Sequence, residues 1–375
     1  MEEFCDLCIY IIDCYIQDNL IDYYKEQFHA TLMDNIFLFL DYYILPYFNF
    51  DDDMIMDIVE FSIEIYFNSI MIHRQNSSWY ESEDTESIIE HITQKPQPIQ
   101  RSLEWYTFRH NIITASSASK AFGTPSNINE LICSKCNELD MNRYKPSFNT
   151  DGPMHWGVKY EPVSVQYYEY INKTNISEYG CIPHDTIPYL AASPDGINTN
   201  KDHLLYGRML EIKNPYTRQI TGIPKDEYWI QCQLQMEVCG LNQCDFLETK
   251  FIEYESEEEF NKDGTFLKTE DDKFKGIIMY FVNHESFLYE YLPFQSSYEE
   301  YLKWEEEIME KHTNDMWIKT IYWKLNIISC VLIERNKEWL NVSLKQLEQI
   351  WNIIQHEKDN GKWMERLPKK KNKSL

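Results

Sequence analysis

Apolar residues recur every three or four positions through residues 1–75, as at Leu7, Ile11, Cys14 and Tyr15, and this spacing predicts helices. The acidic cluster Asp51-Asp52-Asp53 precedes another such run, Ile55 to Ile72, and one of these aspartates is placed to cap it. Residues 76–99 are polar and end in Pro96 and Pro98, the composition of a linker. From about residue 100 the pattern becomes mixed α/β. Helices are expected at Ser116–Phe122, Val158–Ile171 and Glu227–Cys239. Strands are expected at Ile176–Ile182, Leu190–Ala192, Leu204–Lys213, Asp245–Ile252, Gly276–Val282 and Phe287–Leu292. The central order is helix, three strands, helix, strand. Glu253–Lys273 is acidic and reads as a solvated loop, and the pattern returns to helix further on. These shifts divide the chain into a helical N-terminal region (1–75), a linker (76–99), a mixed α/β domain (100–295), a helical C-terminal region (296–360) and a basic tail (361–375) that reads as disordered.

Composition fits a folded protein: 43 % of the 375 residues are hydrophobic and 15 % aromatic. The N-terminal residues lack the basic start and small-residue cleavage site of a secretory signal. The most apolar stretch, Ile36 to Phe50, is broken by Asp41 and Pro46 and is too short to span a bilayer. A soluble intracellular protein with no membrane partner is expected. Ten cysteines suit a reducing compartment. Cys5/Cys8 and Cys133/Cys136 are CxxC pairs, but they lie far apart, and buried free thiols are the better reading than a zinc site. No grouping of four cysteines brackets the central motifs, so no iron–sulfur cluster is expected.

The net charge of −26 argues against a nucleic-acid partner until its distribution is considered. Residues 101–250 carry 14 Lys/Arg against 17 Asp/Glu, whereas the rest of the chain carries 21 against 44. The acidity lies mainly outside the segment that holds the candidate chemistry.

That chemistry centres on Ser193-Pro194-Asp195-Gly196 and Leu210-Glu211-Ile212-Lys213. Asp195 follows a short apolar strand and enters a glycine turn. Glu211 and Lys213 are two apart on the next strand, so they share a face and Ile212 points to the other. A hairpin can then bring Asp195 beside them. Two carboxylates and the Ile212 carbonyl form an oxygen-only donor set suited to Mg²⁺, with Mn²⁺ as a substitute. Lys213 can orient an attacking water or neutralise charge developing on a phosphate, as phosphodiester hydrolysis requires. Taken alone, the pattern is equally that of a surface salt bridge at a hairpin.

Three further motifs shift the balance. Trp156-Gly157-x-x-x-Glu161 opens the longer helix, from which Glu161 can face the metal site. Tyr228-x-x-Gln231-x-Gln233-x-x-Met236 lies on the helix after the Glu211 strand, with Tyr228 and Gln231 on one face. Trp105-x-x-x-Arg109 is followed by Ile113-Thr114-Ala115-Ser116, where Arg109 offers a guanidinium fork for a phosphate and Ser116 sits where a helix begins.

In this order the motifs resemble the lambda-type alkaline exonucleases, the YqaJ-like viral recombinase family of the PD-(D/E)xK nuclease superfamily. The resemblance covers about residues 101–253. It implies a restriction-endonuclease-like mixed α/β (α+β) sheet flanked by helices, here with helical N- and C-terminal extensions. It implies a Mg²⁺-dependent exonuclease that degrades one strand of duplex DNA from the 5′ end. By residue, it implies metal ligation by Asp195 and Glu211 with Glu161 near the metals, Lys213 as the catalytic lysine, and Gln231 positioning water. Arg109, Ser116 and Ser193 match the positions that bind a terminal 5′ phosphate. Asp185 aligns with another acidic position, and Tyr228 and Gln233 share the Gln231 helix. Implied partners are double-stranded DNA ends, a single-strand annealing or replication protein, and further copies of the chain. The acidic, Asn- and Ile-rich composition resembles that of proteins of large cytoplasmic DNA viruses, which implies a viral factory or virion. Two other readings fit the same residues: an endonuclease or junction resolvase of this fold, and a non-catalytic adaptor whose acidic arms bind a partner.

Overall fold

The computed structural model describes residues 2–20, 22–25, 27–47, 52–67, 84–140, 152–283 and 287–367. The N-terminal helices α1 (Glu2–Asp18), α2 (Phe28–Tyr43) and α3 (Asp52–Ile65) form as their periodicity requires. Cys8, Ile12 and Ile16 of α1 meet Leu32, Ile36 and Leu40 of α2 and Val59 of α3 in a core of their own. Asp51 and the end of the apolar run, residues 68–72, lie outside the described residues.

The linker expectation is corrected by α4 (Thr85–Gln94). Asp84 caps it by accepting from the Ser87 N–H, and Ile89 and Ile92 enter the main core. The polar residues around them conceal a short amphipathic face. Residues 76–83 lie outside the described residues.

There follow α5 (Leu103–His110), β1 (Ile113–Thr114), α6 (Ala115–Ala118) running into a 3₁₀ turn to Phe122, α7 (Pro125–Cys136) and α8 (Pro153–Asn172). The strands β2 (Ile176–Ser177), β3 (Ile182–Pro183), β4 (Leu190–Ala192), β5 (Gly196–Asn198) and β6 (Met209–Lys213) lead into α9 (Asp226–Cys239) and β7 (Gln243–Glu253). The chain ends with α10 (Glu257–Lys262), β8 (Lys275–Val282), β9 (Phe287–Tyr291), α11 (Tyr298–Lys311), β10 (Met316–Glu334) and α12 (Lys337–Asn360).

The large sheet has the order β2-β5-β6-β7-β10-β8-β9, and a small sheet has the order β1-β4-β3. In the large sheet β6 and β7 are parallel, joined by the α9 crossover, and the other neighbours are antiparallel. The expected mixed sheet flanked by helices is present. Leu210 and Ile212 of β6 pack with Tyr168 of α8, which leaves Glu211 and Lys213 on the α9 side.

Four more expectations change. The strand expected over Ile176–Ile182 is two strands, β2 and β3, in different sheets. Gly196 begins β5 and makes no turn there; its glycine is required because a Cβ would lie 2.0 Å from Ile176 Cγ2 on β2. The acidic segment after β7 is more than a loop, since α10 buries Phe260 beside Ile277 and Tyr301. The C-terminal region is not wholly helical: β10, 19 residues long, lies between β7 and β8 with register shifts at Trp317/Lys319 and Leu325/Ile327. Ile321, Trp323 and Leu325 point inward at period two, but the shifts and the helices on either side obscure that alternation along the chain.

Part of the basic tail is packed. Residues 362–366 form a 3₁₀ turn, Trp363 sits against the main core, and Arg366 pairs with Glu357 at 2.5 Å. Residues 368–375 lie outside the described residues. The CxxC pairs occupy separate places: Cys8 is in the N-terminal core, while Cys136 donates to the Ile354 carbonyl of α12. Among the described residues no helix is long and apolar enough to cross a membrane.

Candidate active site

Asp195 stands between β4 and β5. The antiparallel pairing of β5 with β6, Gly196 opposite Leu210, carries it to the end of β6. There its Oδ2 accepts from the Ile212 N–H at 2.7 Å. Glu211 is 1 % exposed, so its charge must be met by protein groups. Lys213 Nζ and Gln231 Nε2 donate to Oε1, the latter at 2.7 Å, and Gln235 Nε2 donates to Oε2 at 2.7 Å. Gln235 Nε2 also lies 3.4 Å from the Ser193 carbonyl oxygen. Glu161, on α8, pairs with Arg101 Nη2 at 3.0 Å. Arg101 itself holds φ at 64°, a left-handed conformation uncommon for a bulky residue.

Two clefts meet at Glu161. One, of about 410 Å³, runs past Ile212 and Lys213 toward Tyr216, Arg218 and Tyr228. The other, of about 500 Å³, reaches Asp195, Gln100, Arg101 and Glu178. Burial is the main cause that raises the Asp195 carboxyl well above its ordinary range; Glu211 and Glu161 add to it and Lys213 opposes it. Burial likewise raises Glu161, against the pull of Arg101 and with the push of Glu211. Burial alone would lower the Lys213 ammonium, but Glu211 and Asp195 outweigh it and hold the group protonated. Negative charge therefore crowds this end of β6.

Arg109, Ser116 and Ser193 come from three elements and meet. Arg109 donates to Ser116 Oγ at 2.9 Å and to Ser193 Oγ at 3.4 Å. Trp105, four residues earlier on the same face of α5, stacks on the guanidinium at 4.1 Å and donates its indole N–H to Ser193 Oγ at 3.2 Å. Lys135 Nζ, nearly buried, donates to the Arg109 carbonyl at 2.7 Å. Burial, with Arg109 as the next cause, lowers its pKa to about 7.

Two candidate residues point elsewhere. Asp185 pairs with Lys95 at 2.7 Å and His91 at 3.0 Å near α4, apart from the carboxylates. Gln233 is fully buried on the far side of α9, where it donates to the Glu334 carbonyl and accepts from the Asn336 N–H, both at 2.7 Å. Tyr228 lines the first cleft with Lys213 5.3 Å from its ring centre. Gln235 was not among the sequence candidates. The signal was available: Gln231 and Gln235 are four apart and share a helix face, whereas Gln233 is about half a turn away.

The donor set is oxygen only, and the carboxylates outnumber the cations beside them, which fits a hard divalent ion. Among the described residues no three His, Cys, Asp or Glu side chains form a closed metal cage. A Mg²⁺ ion that keeps several waters needs only one or two carboxylates from protein.

The chain is similar to several known proteins. An uncharacterized protein of Acanthamoeba polyphaga mimivirus is 31 % identical over 340 residues, 81 % of this chain; the chain spans 59 % of that protein's length. Among solved structures, an alkaline exonuclease (LHK-Exo) from Laribacter hongkongensis is similar over 70 % of this chain and 96 % of its own, with 20 % identity and a TM-score of 0.40. A phage-related exonuclease from Haemophilus somnus 129PT covers 68 % and 96 %, with 11 % identity and a TM-score of 0.35. The segment that carries both the carboxylate cluster and the Arg109 grip, residues 104–242, is similar to the YqaJ-like viral recombinase domain.

Proposed function

We propose that this domain is a metal-dependent deoxyribonuclease that removes nucleotides from the 5′ ends of duplex DNA. The observation that carries the reading is the adjacency of two sites: Gln235 joins Glu211 of the carboxylate cluster to Ser193 of the Arg109 grip. One site suits a scissile phosphate and the other a terminal phosphate.

Asp195 and Glu211, with the Ile212 carbonyl and Glu161 nearby, would hold Mg²⁺ or Mn²⁺. When bound, the ion supplies Lewis-acid polarisation of the phosphate and a more acidic water. The chain's own groups do the rest. Lys213 places a fixed positive charge where negative charge develops on the phosphate. Gln231 and Gln235 hold the Glu211 carboxylate in one orientation. Arg109 presents a planar fork, pre-oriented by Trp105, with Ser116 and Ser193 as further donors to a terminal phosphate. The product, a duplex with 3′ single strands, is a substrate for an annealing partner.

End-labelled linear duplex incubated with Mg²⁺ tests this. Wild type should release mononucleotides from 5′ ends, Lys213→Ala should be slower by about 10³-fold, and a covalently closed circle should survive. Cleavage of the circle would replace this reading by an endonuclease. Equal rates for wild type and Lys213→Ala would remove the catalytic assignment.

A further inference from the structure

We propose that the loop between β6 and α9 is a second DNA site, which holds the nucleotide on the 3′ side of the scissile bond through Tyr216, Arg218 and Lys225. The inference rests on the nuclease reading above.

Charge singles out this loop. In a chain of net charge −26, residues 213–225 contain Lys213, Arg218 and Lys225 and no Asp or Glu. The three cations surround one ring: Lys213 Nζ, Arg218 Cζ and Lys225 Nζ lie 5.3, 5.4 and 6.0 Å from the Tyr228 centroid. Lys225 is half exposed, with its side chain at 52 %, and lies 3.7 Å from the equally exposed Glu227 at the start of α9. Cations clustered on an aromatic wall are what a nucleic-acid backbone and its bases require.

The loop is held in place. Asn214, directly after the catalytic lysine, donates to the Gly157 carbonyl at 3.2 Å and accepts from Ser164 Oγ at 2.7 Å, which ties the loop to α8. Arg218 pairs with the buried Glu248 of β7. Tyr216 is 47 % exposed and backed by Trp156 at 4.9 Å, which in turn packs on Tyr160 at 4.6 Å. An exposed ring with a rigid aromatic backing is suited to stack on a base.

Contacts set the direction. Arg109 touches Ser193, Gln235 joins Ser193 to Glu211, Glu211 meets Lys213, and Lys213 lies over Tyr228. The loop is therefore reached from the Arg109 grip through the carboxylate cluster, on its Lys213 side. A strand with its terminal 5′ phosphate at Arg109 and its next phosphate at Lys213 continues onto Tyr216, Arg218 and Lys225.

Fluorescence anisotropy of a 5′-phosphorylated duplex in Ca²⁺, which should support binding with little turnover, tests the site. Lys225→Ala should weaken binding about 10-fold and make the slope of log K against log salt shallower by about one. Tyr216→Ala should weaken binding about 10-fold with the slope unchanged. Arg218→Lys keeps the charge facing Glu248 and should weaken binding less than Lys225→Ala. A duplex with a neutral methylphosphonate at the first phosphate 3′ of the scissile one should bind wild type as weakly as the normal duplex binds Lys225→Ala, with no further loss when both changes are combined. Wild type that cleaves normally alongside Lys225→Ala and Tyr216→Ala variants that bind as tightly overturns this site alone. So does a Lys225→Ala loss that persists in full on the methylphosphonate duplex. Wild type that neither binds nor cleaves overturns the nuclease reading and this site together.

Discussion

Gln235 donates to Glu211 Oε2 at 2.7 Å from a position that is 1 % exposed, so a neutral amide fixes one oxygen of the central carboxylate while Lys213 and Gln231 share the other. Removing it would leave that oxygen buried without its donor and free the carboxylate to rotate. Gln235→Leu should raise the Mg²⁺ concentration for half-maximal cleavage by about 10- to 100-fold, the usual effect of losing a group that orients a metal ligand. A Mg²⁺ titration of initial rates checks this, with circular dichroism to confirm folding. An unchanged titration would show that Gln231 and Lys213 suffice to orient Glu211.

The proposed function assigns end recognition to Arg109 and chemistry to the carboxylate cluster. Arg109 donates to Ser116 and Ser193, while Gln231, Gln235 and Lys213 donate to Glu211. Arg109→Ala should therefore abolish most of the preference for 5′-phosphorylated over 5′-hydroxyl ends, a loss of about 10- to 100-fold on the phosphorylated substrate, corresponding to a charge-assisted bond of roughly 1.5–3 kcal/mol. Rates on 5′-hydroxyl ends should change little. Comparison of kcat/KM on the two substrates decides it.

Lys135 gives a pH dependence with a definite sign. Burial, followed by Arg109, lowers its pKa from 10.5 to about 7 in the folded protein. Between these values the unfolded chain binds the proton and the folded protein does not, so stability rises with pH by up to about 1.4 kcal/mol per unit from this group. Below pH 7 both states are protonated and the contribution is flat. Lys135→Met should remove the alkaline gain, which urea unfolding at pH 7 and pH 9 would reveal. A parallel rise in wild type and variant would assign the gain to other groups.

Gly196 links packing to the site through one missing methyl group. A Cβ there would lie 2.0 Å from Ile176 Cγ2, and Asp195 is the preceding residue. Gly196→Ala should cost about 1–3 kcal/mol as overpacking and lower the cleavage rate by displacing Asp195. Adding Ile176→Ala makes room, so the double variant should be more stable than the sum of the single changes predicts. Thermal unfolding of the four proteins forms the cycle, and strict additivity would exclude the contact as the cause.

Much of the site was legible because its parts are local. Glu211 and Lys213 share a face by strand alternation alone, and Tyr228 and Gln231 share one by helical spacing. Hydrophobic period revealed the N-terminal helices α1 and α2 for the same reason. Where neighbouring residues carry the information, the residue order contains it.

What the residue order left open depends on partners distant in the chain. The nineteen residues of β10 form a strand because β8 pairs with its first half, Met316 to Lys324, and β7 with its second, Trp323 to Glu334, and the register shifts break the period that would have announced it. Gly196 looked like a turn because nothing nearby shows Ile176 pressing on it from β2. Asp185 and Gln233 carry suitable chemistry but are turned away, one toward Lys95 and His91 and the other toward Glu334 and Asn336. Residue types and short-range spacing thus determined which groups could serve a phosphodiester site. Only tertiary packing, which sets the faces of β6 and α9 against each other, decided which of them meet.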